Sequence, residues 1–79
     1  MALAMPAIDK NALKSKVVAK GYKVDEFIQA VKKTGVTFNE SAYYDGLNGS
    51  REFDRGQIRA ISEVLELTKS EILDIFFKT

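Results

Sequence analysis

The 79-residue chain has no cysteine and no histidine. Without cysteine, neither a disulfide framework nor a thiolate metal site can be built. Without histidine, the commonest general base and the commonest metal ligand are both missing. Long apolar runs are absent too. Nothing approaches the roughly 20 residues needed to cross a bilayer, and the opening stretch MALAMPAIDK lacks the basic start and extended apolar core of a signal peptide. A cytoplasmic protein with no membrane partner is therefore expected. Strand signals are scarce: no stretch alternates strictly over several residues, and no two-residue hairpin turn separates β-rich runs. A glycine-rich phosphate loop is also lacking. Carboxylate pairs such as Asp25 with Glu26, or Glu52 with Asp54, have no converging partners and are explained by helix capping. The inventory predicts no enzyme, no metal and no cofactor.

What remains describes a small folded domain. Hydrophobic residues make up 46% and charged residues 29%, with a single proline, which is a globular and not a disordered composition. At this length one domain fits, and burial is only marginally sufficient for stability. Residues 1–8, MALAMPAI, are expected to be a flexible arm or, in part, a leader before a natural start near Met5, leaving residues 9–79 as the domain. The net charge of +1 conceals a polarity. Residues 1–33 carry seven basic residues against three acids, or +4, whereas residues 34–79 carry five against eight, or −3. A basic face on a nearly neutral protein is compatible with that division, as is an ordinary solvated surface.

Helical spacing predicts five helices. Asp9 can cap a first helix over Lys10–Lys20, with Leu13, Val17 and Val18 on its apolar side and Gly21 at its end. Val24, Phe27, Ile28 and Val31 form a second stripe, with acids in the first turn, lysines in the last and Gly35 as terminator. Val36 and Phe38 fall in a connection. Asn39 caps a third helix through Leu47 that Asn48 and Gly49 close, with Tyr43 and Leu47 on one face and Glu40, Ser41, Tyr44 and Asp45 nearer the other. Asp54 and Gln57 form a capping box for a fourth helix that turns Ile58, Ile61, Val64 and Leu65 inward, and Phe53 can staple against Ile58. Thr68 and Glu71 repeat the box for a fifth helix over Lys69–Phe77, with Ile72, Leu73, Ile75 and Phe76 apolar. The expected fold is an all-α, compact five-helix bundle.

The order of these elements, in KVDEFIQAVKKTGVTFNESAYYDGLNG and then FDRGQIRAISEVLELTKSEILDIFF, resembles the lambda-repressor-like helix-turn-helix family of phage and bacterial transcriptional regulators, of the Cro and repressor type. The resemblance spans about residues 9–77. It implies a helix-turn-helix at helices 2 and 3, with the third helix in the major groove of double-stranded DNA. By position, Ala30 resembles the small residue that lets the two helices approach. Asn39, Glu40, Ser41, Tyr44 and Asp45 match base-reading places. Asn48, Ser50, Arg51 and Arg55 match places that meet phosphates, and Lys23, with Lys20, Lys32 and Lys33, stands at helix ends that could flank a duplex. Arg59 could extend a phosphate-binding row with Arg51 and Arg55, but pairing with Glu52, Asp54 or Glu63 is the stronger expectation for it. A domain this small has difficulty burying both Phe76 and Phe77, which makes the two candidates for a homodimer interface. The rival expectation is a protein-interaction module on the same scaffold, such as an antirepressor or phage-encoded inhibitor. It rests on the acidic pair Glu40 and Asp45, on a connection KKTGVTF about two residues longer than the usual tight turn, and on the low net charge.

Overall fold

The first turn of the first described helix is organised by one carboxylate. Asp9 accepts the Ala12 N–H at 3.1 Å and opens α1, Lys10–Ala19. In the computed structural model, which describes residues 8–77, four further helices follow: α2 Val24–Lys32, α3 Glu40–Asn48, α4 Arg55–Leu65 and α5 Lys69–Phe76. No strand occurs among the described residues.

Local chemistry accounts for the boundaries. Gly21, at φ +82°, turns α1 back so that Tyr22 N–H reaches the Val17 carbonyl at 3.1 Å. The Glu26 carboxylate accepts the Lys23 N–H at 3.0 Å and closes the start of α2. At the end of α2 the Thr34 hydroxyl donates to the Val31 carbonyl at 2.7 Å. Asn39 caps α3 through the Ala42 N–H at 2.8 Å, and left-handed Gly49 ends it, with Ser50 N–H returning to the Asp45 carbonyl at 3.0 Å. Both expected capping boxes form, Asp54 with Gln57 and Thr68 with Glu71. The end of α4 departs from the glycine rule: Glu66 itself adopts the left-handed conformation at φ 55°, and Leu67 N–H reaches the Ser62 carbonyl at 2.9 Å. A side-chain-bearing residue pays steric cost there, which surrounding contacts must offset.

The core draws on every helix and on the connection between α2 and α3. Leu13, Val17, Phe27, Ile28, Val31, Phe38, Tyr43, Leu47, Ala60, Ile61, Leu65, Ile75 and Phe76 are buried. At its centre the Phe27 ring meets Phe38 edge-on at 6.3 Å and Tyr43 at 5.6 Å, which joins α2 to α3. Phe53, expected against Ile58, extends the aromatic chain from Phe38 at 6.1 Å to Phe76 at 6.0 Å. Its ring lies so close to α3 that a β-carbon at Gly46 would stand 2.3 Å from it. Gly46 is therefore a seat for Phe53, and the glycine in mid-helix has a packing reason.

Helix α1 runs antiparallel to α5. Asp9 N–H donates to the Ile75 carbonyl at 2.8 Å, Lys16 pairs with Glu71, and Lys20 pairs with Glu66 at 2.7 Å. Two expected core positions are exposed: Val18 at 72%, because it is one step past Val17 around the helix, and Leu73 at 58% on the outer side of α5; Val24, Ile58, Val64 and Ile72 are half-buried against the core.

Candidate nucleic-acid interface

The outer face of α3 is held rigidly from below. Tyr43 and Leu47 are buried on the inner side, the helix is capped at both ends, and the Tyr44 ring stands edge-on to Tyr43 at 5.1 Å. On the outside, Asn39, Glu40 and Ser41 are exposed, and Tyr44 is 43% exposed. The Asn39 side-chain oxygen is committed to the cap, so its amide nitrogen is the group it can offer outward. Asp45 is half-buried, and its carbonyl receives both Ser50 N–H and, at 3.3 Å, Arg51 N–H. Of the five base-reading candidates, Asp45 is the least accessible.

The phosphate candidates divide by location. Asn48 is the exposed last residue of α3, Ser50 and Arg51 occupy the exposed turn after it, and Arg55 opens α4, so these four lie within eight consecutive residues. Lys23 is exposed but belongs to the turn before α2. Charge pairing sorts the cations further. Arg59 faces Glu63 at 3.6 Å, as expected, and Lys16 and Lys20 are engaged by α5 and its approach. Among the described residues, Lys23, Lys32, Lys33, Arg51 and Arg55 are in no ion pair, and neither are Glu40 and Asp45. The outer face of α3 thus carries acid, while the unpaired cations named here stand on turns and helix ends before and after it in the chain.

Burial, followed by the neighbouring Tyr44, raises the Tyr43 phenol above its ordinary value, so it remains protonated at neutral pH. The carboxyls of Glu66 and Glu71 are lowered, chiefly by their hydrogen bonds from Lys20 and Lys16. Among the described residues, no three His, Cys, Asp or Glu side chains converge as a metal site, and no helix is long and apolar enough to cross a membrane.

The two dimer candidates separate. Phe76 lies in the core against Phe53 and is not available to a partner, which corrects the expectation that treated it with Phe77. The helical rotation between neighbours is the reason: turning Phe76 inward directs Phe77 outward, where it is 53% exposed one turn beyond Leu73. The connection from α2 to α3 covers residues 33–39, seven positions, and the Phe38 side chain drops from it into the core.

Some features had no usable signal in the residue pattern. The Gln57 amide, expected only in its cap, also donates to the Thr37 carbonyl at 2.9 Å and ties the α2–α3 connection to α4. A groove along the outside of α4 is lined partly by residues that the periodicity assigns to the interior. Comparison of the chain with protein-family models, with curated proteins and with solved structures finds no match.

Proposed function

We propose that this protein is a sequence-specific DNA-binding transcriptional regulator of the phage repressor or Cro type, which places the outer face of α3 in the major groove and works in the bacterial or phage-infected cytoplasm. The observation that carries the reading is the pair Arg51 and Arg55, exposed and without intramolecular ion partners, in the segment that directly follows a capped and well-seated helix with an exposed outer face. Phosphate contacts position such a protein and supply most of its affinity, and base contacts specify the site. Arg51 and Arg55 serve as the phosphate anchors, with Lys23, Asn48 and Ser50 beside them. Asn39, Ser41 and Tyr44 meet base edges or a thymine methyl, and Glu40 accepts from a cytosine N4. A homodimer on a two-fold operator follows from the same resemblance, with Phe77 as the remaining apolar candidate for the contact.

Replacing Arg51 and Arg55 together by alanine tests the assignment. Both are exposed, so the fold is retained. The salt dependence of binding, as log affinity against log salt concentration, should become shallower by about 2 for two lost phosphate contacts. An unchanged slope removes both residues from the interface.

A second reading is favoured by the acidic groups Glu40 and Asp45 and by the seven-residue connection before α3. Carboxylates face a strongly negative duplex unfavourably outside a cytosine contact, whereas a basic protein surface accommodates them well. On that reading α3 meets a protein, as in an antirepressor or inhibitor, and the double arginine variant leaves partner binding through Glu40 intact.

A further inference from the structure

The outside of α4 carries a feature that the α3 face does not use. An open groove of about 510 Å³ runs along the helix, with Arg55 toward one end and with Ile58, Leu67 and Ile72 along it. These three apolar side chains are half-buried and rest on the core. The polar groups lining the groove are nearly all satisfied within the molecule. Ser62 turns its hydroxyl back to the Ile58 carbonyl at 2.7 Å, Arg59 faces Glu63 at 3.6 Å, and Glu66 holds Lys20 at 2.7 Å. Arg55 is the exception: it is exposed and in no ion pair among the described residues.

The complement of such a surface has an apolar body and a carboxylate toward one end. Its volume falls within the roughly 300–1,000 Å³ of sites for organic ligands, but it is open along its length, which suits a chain segment better than an enclosed small molecule. We propose that the groove docks an acidic, aliphatic peptide segment of a partner protein, with leucine- or isoleucine-sized side chains over Ile58, Leu67 and Ile72 and a carboxylate on Arg55. Because Arg55 is also the proposed phosphate anchor, an occupied groove weakens DNA binding. That second consequence rests on the DNA reading, and the docking itself does not.

Titration of the 15N-labelled protein, without DNA, with an acetylated and amidated peptide of sequence LIELLD tests the docking by NMR. Saturable shifts confined to the amides of the groove residues are expected, with affinity weaker by roughly tenfold or more for the neutral peptide LIQLLN and in Arg55→Gln. Ile72→Ala, with folding checked by circular dichroism, should weaken peptide binding while retaining DNA binding. Scattered or non-saturating shifts, or equal affinity for the two peptides, overturn the proposal. Peptide binding by a protein that fails to bind any duplex supports the groove and removes the DNA reading, and a bound duplex undisturbed by saturating peptide overturns the competition.

Discussion

Gly46 and Gln57 show how single residues carry more than their local helix. In an unpacked helix, alanine in place of glycine gains roughly 1 kcal/mol. Here the added methyl would collide with the Phe53 ring, which Phe38 and Phe76 contact on their own sides. Gly46→Ala should therefore reverse the usual sign and destabilise by about 1–3 kcal/mol, measured by urea unfolding. A gain in stability would show that the ring can move aside. Gln57→Ala removes an N-terminal cap interaction and the bond to the Thr37 carbonyl. A loss of about 1–2 kcal/mol is expected, together with faster amide exchange in residues 36–39. Exchange unchanged there would mean that the connection holds without Gln57. The cap was legible because Asp54 and Gln57 have the spacing of a reciprocal box. The second bond joins residues 20 apart, and no local pattern reports it.

At the scale of elements, the pairing of α1 with the approach to α5 and α5 itself responds to pH. Glu71 divides its carboxylate between the Thr68 N–H at 2.9 Å and Lys16, and Glu66 takes Lys20 at 2.7 Å. Both glutamates lie below the ordinary value of 4.5 in the folded protein. The unfolded chain binds these protons first, so the stabilisation is fully present above about pH 4.5 and is lost as pH falls through the lower folded values. Both pairs are solvent-exposed enough to be weakened by salt. The variant Lys16→Met with Lys20→Met should have a flatter decline in melting temperature below pH 4.5 than the parent protein, and the parent's decline should shrink in high salt. Identical acid limbs in the two proteins would remove the pairs as its cause. The helices themselves were readable to within a residue or so, because caps and apolar spacing agree at nearly every boundary. The exceptions have physical causes. Periodicity marks Val18 and Leu73 as apolar but does not say where the buried stripe stops, and Glu66 ends α4 in a conformation that its residue type does not announce.

For the whole molecule, the arrangement of charge matters more than its total. The basic excess of residues 1–33 and the acidic excess beyond them are partly cancelled where α1 lies beside the approach to α5 and α5 itself, since Lys16 and Lys20 are engaged there. The cations left without ion partners among the described residues include Lys23, Lys32, Lys33, Arg51 and Arg55, whereas the exposed turn of α3 presents Glu40. That division was only half visible in the sequence. Which residues are charged can be read directly, but which of them are already paired depends on contacts such as that between residues 16 and 71, brought together by folding alone. The order of the five helices was legible, and Arg51 and Arg55 are exposed as charged residues in turns and helix starts commonly are. The inward turn of Phe76 and the groove beside Arg55 emerge only from packing.

The proposed function requires that the outer face of α3 read DNA while Arg51 and Arg55, in the segment after it, hold phosphates. Fluorescence-anisotropy titration of the full chain with labelled nonspecific and genome-derived duplexes, at several salt concentrations, tests it most directly. Log affinity should fall linearly with log salt, and one duplex should bind tighter than nonspecific DNA by a factor of roughly 10³ or more. No binding to any duplex even at low salt would contradict it and leave α3 as a surface for a protein partner.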